Sequence, residues 1–138
     1  MPTAKEITIQ MLDQPGTLGK TCKALADRGV NILAFQSVPA AGGESTVRLV
    51  VDNPGTTRTV LNTLGLKLTE TDVAQTKLPH RPGELARAAS RLGDAGININ
   101  YAYVGIESGS NAPLLIFGVA EVAKAATILD QASAAAGA

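Results

Sequence analysis

Asp13-Gln14-Pro15-Gly16 and His80-Arg81-Pro82-Gly83 are one corner written twice, 67 residues apart. A second echo follows each at the same offset: Gly29-Val30-Asn31-Ile32 and Gly96-Ile97-Asn98-Ile99. Leu18 and Leu85, Leu25 and Leu92, and Asp27 and Asp94 superpose as well. Two copies at this period point to a duplicated small domain and not to a solenoid. The expected boundaries are residues 1–70 and 71–138.

Working outward from the first corner, residues 1–4 read as a loose terminus. Ile7, Ile9 and Met11 alternate with Glu6, Thr8 and Gln10, a half-buried strand. The corner ends it: Pro suits a helix's first turn, and Asp suits the capping position before it. Leu18, Cys22, Leu25 and Ala26 then form an apolar helical stripe that Gly29 terminates. Val30 to Val38 reads as a strand, residues 39–43 as a hairpin loop and Glu44 to Val51 as a third strand. Asp52-Asn53-Pro54 is a strong helix start, and Gly65 closes the helix carrying Val60, Leu61 and Leu64.

Neither Gly nor Pro lies between Leu66 and Leu78. Thirteen extended residues span about 43 Å, so either one long strand or two strands with a bend fits there. Copy two repeats the order. A helix with Leu85, Ala89 and Leu92 aligned leads to a strand over Ile97 to Ile106, a turn over Glu107 to Asn111 and an apolar strand over Leu114 to Val119. A helix over Glu121 to Gln131 follows, and Ser133 to Ala138 is small and featureless. The fold class is therefore α+β: two ferredoxin-like βαββαβ repeats, each an antiparallel sheet with helices on one face. The second repeat lacks its last strand.

Bulk composition narrows the function classes. Lys+Arg and Asp+Glu both total 12, and aromatics are 3% of residues, which argues against nucleic-acid binding. One cysteine excludes a disulfide framework within the chain and a multi-cysteine metal site. No signal peptide or membrane span is visible, so a soluble cytoplasmic protein is expected, without metal or cofactor. A copy of this size buries little core alone, so packing against a sister copy or another chain is expected.

A strand ending in x-x-Pro-Gly, a helix, then Gly-(Val/Ile)-Asn-Ile resembles the ACT domain, over about residues 5–131 and in both copies. The chain resembles a stand-alone tandem ACT protein. The resemblance implies a ferredoxin-like module that binds small molecules, mostly amino acids, and regulates an enzyme. It implies ligand contacts from the loop and helix start (Asp13, Gln14, Gly16 and Thr17; His80, Gly83 and Glu84) and from Asn31 and Asn98. Serine-binding members carry Asn where this chain has Asp13 and His80, and His where it has Met11 and Leu78. The ligand's identity therefore stays open.

The residues suit such a ligand on their own chemistry. A helix N-terminus offers unpaired amides and positive dipole character to a carboxylate. Gly16 and Gly83 leave that backbone uncovered, and Asn offers both a donor and an acceptor. Asp13 suits an ammonium group and His80 a carboxylate. A helix over residues 16–28 is roughly 20 Å long, so Gly16 and Asn31 cannot share one small ligand within a copy. The expected sites join Asp13/Gly16 to Asn98 and His80/Gly83 to Asn31, between copies, either within a chain or across a homodimer. The expected function is a non-catalytic amino-acid sensor, with a biosynthetic enzyme as a possible partner. The alternative is a regulatory subunit or interaction module that binds a partner enzyme without its own ligand. No nucleophile–base–orienter set can be assembled for an enzyme.

Overall fold

A computed structural model of the chain describes residues 3–110 and 112–136. Among these it has six strands and four α-helices. In chain order they are β1 (Thr3–Leu12), α1 (Thr17–Asp27), β2 (Ile32–Pro39), β3 (Glu44–Val51), α2 (Pro54–Thr63) and β4 (Leu68–Lys77), then α3 (Glu84–Asp94), β5 (Tyr101–Ile106), β6 (Pro113–Gly118) and α4 (Val122–Ala135). The stretch between Leu66 and Leu78 carries one strand, not two. The chain divides into two compact units, Lys5–Thr71 and Asp72–Ala138, and the second also takes in Met1–Ala4.

In the unit of residues 5–71, β3 lies between β1 and β2 and is antiparallel to both, with Ile7 opposite Leu49 and Ile9 opposite Val47. Alternation puts Ile7, Ile9, Met11, Val47, Leu49 and Val51 on one buried face, where Leu25 of α1 and Val60 and Leu61 of α2 cover them. Each such side chain contributes about 1.5–3 kcal/mol on burial. The start of α2 is built as its sequence predicts: the Asn53 side chain accepts from the Thr56 N–H at 3.0 Å, with Pro54 in the first turn. The register of β2 shifts between Ile32 and Ala34. Val38, beyond that shift, is exposed.

In the other unit β6 is central, antiparallel to β4 and β5. Leu114 to Phe117 are all buried, as their unbroken apolar run predicts. Phe117, Leu115 and Ala74 pack under Ala88 and Leu92 of α3 and under Ala125, Ala126, Leu129 and Ala132 of α4. No strand follows α4 among the described residues.

Several expectations need correcting. Thr3 and Ala4 are not a loose terminus but the start of β1, and they group with residues 72–138. Residues 1–2, Asn111 of the predicted turn and residues 137–138 of the tail lie outside the described residues. The tail's Ser133 to Ala135 are helical: alanine is the strongest helix former, and Ser133 Oγ donates to the Lys77 carbonyl at 2.9 Å. Residues 97–100 are not strand, so β5 begins only at Tyr101. Glu6, expected on the solvent side of β1, is buried, with Arg48 Nε 3.9 Å from its Oε1. The stripes of two helices are also rotated. In α1 Thr21 and Leu25 are buried and Ala26 is exposed. In α3 the buried residues are Glu84, Ala88 and Leu92, while Leu85 is 55% exposed.

Tyr101 stands opposite Gly118, and a Cβ on Gly118 would fall 2.2–2.6 Å from the Tyr101 ring. The ring lies over bare backbone, and Tyr103 stacks beside it with centroids 6.4 Å apart. Gly118→Ala should therefore destabilise the chain by about 1–3 kcal/mol. In a Tyr101→Ala background the same change should cost far less. Urea denaturation of the four proteins tests this, and equal costs in both backgrounds would refute the contact.

Candidate functional site

Both Pro-Gly corners are built alike. Helix α1 starts at Thr17 and α3 at Glu84, and the residue before each is a glycine with φ of 90°. Asp13 is therefore not the cap of α1: Gly16 holds that place, and no side chain closes either helix start. Nothing stands within 4 Å of where a Cβ on Gly16 or Gly83 would be. The constraint on these glycines is backbone conformation alone. The first loop is pinned by the Asp13 N–H, which donates to the Gly43 carbonyl at 2.9 Å. The Arg81 N–H donates to Pro79 at 3.0 Å in the second.

A hollow opens at each corner. In the unit of residues 5–71 it measures about 430 Å³. Leu12, Leu64 and Leu66 form its apolar side, and Gly16, Thr17 and Lys20 its polar side. Leu12 and Leu64, though apolar, are 57% and 39% exposed because they face this hollow and not the core. Asp13 and Gln14 are exposed and do not line it. In the unit of residues 72–138 the hollow is about 300 Å³. His80, Arg81 and Glu84 line it on one side, and Leu85, Val104 and Leu115 on the other.

The second hollow carries a charge that the first does not. Glu84 is only 4% exposed. Its Oε1 accepts from Arg81 Nε at 3.2 Å and from Arg87 Nη1 at 2.9 Å. Burial pushes the carboxyl up, but the hydrogen bonds and charges of the two arginines outweigh it and hold it below the usual glutamate range. Arg81 also donates through Nη2 to the Ala136 carbonyl at 3.0 Å, tying the corner to the end of α4. Thr17 takes the place of Glu84 in the first copy.

Of the predicted site residues, Gly16 and Thr17 are brought together in one hollow and His80 and Glu84 in the other. Gly83 shapes its corner without lining the hollow. Asn31 and Asn98 line neither. The Asn31 N–H donates to Asp52 Oδ1 at 2.9 Å, and Asn98 Nδ2 donates to Asn100 Oδ1 at 2.9 Å. Both are exposed, past the far end of their helix. The 11-residue α1 is about 16 Å long, so Asn31 and Gly16 stay apart as the helix length predicts. Sequence reasoning missed Arg81, Arg87 and Lys20. Arg81 lay inside the quoted motif, while the other two carry only the signal of a basic residue one turn into each helix. Cys22, expected in the core, is only partly buried, and burial raises its thiol pKa.

The corner, the Gly-(Val/Ile)-Asn segment and the βαββαβ order now stand in one frame. Residues 5–65 match the family model of the ACT domain. No curated protein sequence matches the chain. Among solved structures, the chain is similar to a protein from Bacteroides thetaiotaomicron at 23% identity and a TM-score of 0.80, covering 94% of this chain and 88% of that one. It is also similar to the regulatory subunit of aspartate kinase from Thermus thermophilus in its ligand-free form. That match has 19% identity and a TM-score of 0.65, over 95% of this chain and 92% of that one. The Thermus flavus counterpart gives 19% and 0.64, over 100% and 94%. At such identities the likeness is one of fold. Among the described residues no group of three His, Cys, Asp or Glu side chains could hold a metal ion. None of the described helices is long and apolar enough to cross a membrane.

Two outcomes are expected of the two corners. Gly16→Ala and Gly83→Ala should each cost about 1–2 kcal/mol, since an L-residue is strained at positive φ; urea midpoints unchanged within error would refute the conformational demand. Glu84 has a folded pKa lowered from an ordinary value of 4.5. Its stabilisation is therefore complete above that value and lost as pH falls through the depressed folded pKa. The melting temperature should drop on acidification below that value, and Glu84→Gln should lessen the drop. An identical acid profile in the variant would remove Glu84 as a source.

Proposed function

We propose that the chain is a non-catalytic, amino-acid-binding regulatory protein with two ACT modules, the second formed by residues 71–138. The observation that carries this reading is the pair of hollows. Each Pro-Gly corner presents a concavity with an apolar wall and an uncapped helix start, and the first lies within the ACT match. An uncapped helix start suits a ligand carboxylate, and hollows of this size suit one small molecule.

In this proposal Gly16 and Thr17 hold a ligand in the first module, and His80 and Glu84 in the second. Asp13 and Gln14 shape the first loop, and Gly83 the second. Asn98 and Asn31, which line neither hollow in their own copy, are supplied by a second copy of the module, with a homodimer as one way of doing so. Binding is then linked to assembly, and a partner enzyme can sense it. A biosynthetic enzyme in the cytoplasm is the partner proposed; regulatory subunits of aspartate kinase share the fold. A second reading, a partner-binding module without a ligand, draws on Val104 and Ile106 of β5, which are 61% and 56% exposed.

Thermal melting of ligand-free protein against each of the twenty amino acids tests the sensor reading. A ligand at 100 times its Kd adds about 2.7 kcal/mol, which raises the melting temperature by several degrees. No shift with any amino acid would sink the reading in favour of the second. For the placement, Asn31→Ala or Asn98→Ala should weaken a hit by roughly 10- to 150-fold, as expected for a lost charged hydrogen bond. If both variants bind as the unaltered chain does, the asparagines are not at the site.

A further inference from the structure

The two hollows are not interchangeable, and the difference lies in one oxygen. Glu84 Oε1 is held by both arginines, but Oε2 is shielded from water and accepts no hydrogen bond. A carboxylate that keeps its charge while one oxygen stays dry and unpartnered is a costly arrangement in a folded chain. Such an orphan acceptor calls for an explanation, and a missing donor is the simplest. The residue carrying it lines the second hollow. The first hollow has no acid on its wall, and Lys20 contributes its only charge among the lining residues.

The other residues lining the second hollow are complementary in kind. Arg81 and His80 lie on its polar side with Glu84. Leu78, Leu85, Val104 and Leu115 face them, and Leu85 and Val104 are more than half exposed because they line this space. An acid, a base and an apolar wall in about 300 Å³ match the three parts of an apolar amino acid.

We propose that the second hollow selects an amino acid with an apolar side chain, with Glu84 Oε2 accepting from its ammonium group, Arg81 and His80 holding its carboxylate, and Leu85, Val104 and Leu115 receiving the side chain. The inference rests on the amino-acid-binding reading and adds which site, which groups and which class of ligand. The last torsion of a Glu side chain is soft. Oε2 therefore turns toward an entering donor while the arginines retain the other oxygen. The first hollow, with Lys20 and no acid, does not share this preference.

Calorimetry on the unaltered chain uses L-leucine, 4-methylpentanoate (leucine without its amino group) and 3-methylbutylamine (leucine without its carboxylate). Leucine, or failing it valine or phenylalanine, should bind, and removing the amino group should weaken binding roughly 10- to 150-fold. Glu84→Gln should weaken the amino acid by a similar factor and not weaken the amino-free acid. A merely structural role would weaken both alike, and that result overturns the assignment. Amino-acid binding that ignores Glu84→Gln, or that is confined to polar amino acids, overturns the inference and leaves the sensor reading standing. Failure of all twenty amino acids to bind removes both. The analogue comparison needs no variant, so it decides the ammonium contact even if Glu84→Gln does not fold.

Discussion

At Gly16 and Gly83 the backbone turns through a φ of 90°, a conformation that costs other residues about 1–2 kcal/mol. That corner sets the course of the chain beyond it. It lets the chain leave β1 or β4 and enter a helix within a few residues. No side chain then reaches back to close the helix start. Each loop carries a main-chain hydrogen bond, so its turn does not demand the same side chains, and the second is also tied by one, Arg81. Asp13 and Gln14 in one copy become His80 and Arg81 in the other without altering the turn. The two corners share a backbone and differ in chemistry.

The same division explains what the sequence reveals. The repeat, the Asn53 cap and the bounds of β3 at Glu44 and Val51 come from local rules: capping chemistry and alternation. The failures share a different cause. Leu85 and Glu84 are neighbours on α3, about 100° apart around the helix, and periodicity alone favours burying the leucine. Burying the acid instead depends on Arg81 and Arg87 closing on one oxygen, a contact that hydropathy does not encode. Glu6 beside Arg48 is the same error on β1. The loss of strand at residues 97–100 has no such reading: the structure shows it, and the sequence pattern of Ile97 and Ile99 argues for strand.

For the candidate site the lesson is similar. Because the motif repeats, Gly16, Thr17, His80 and Glu84 could be picked out as residues that line the two hollows, but the contribution of each could not. Asp13 reads as the acid and His80 as the base of two opposite sites. In the structure Asp13 is exposed outside its hollow, and the acid that lines a hollow is Glu84. Lys20 and Arg81 bring the positive charge. Which side chain faces a cavity is set by helix rotation, and rotation is fixed by packing against the sheet.

Thr3 and Ala4 begin β1 but group with residues 72–138. A short segment ahead of residues 5–71 therefore groups with a unit whose other strands and helices come after them. That unit must recover a segment about 70 residues upstream, a closure of high contact order. Within this stretch the unit of residues 5–71 is continuous in sequence, whereas the other is closed only when two distant segments meet, so its assembly is the slower of the two.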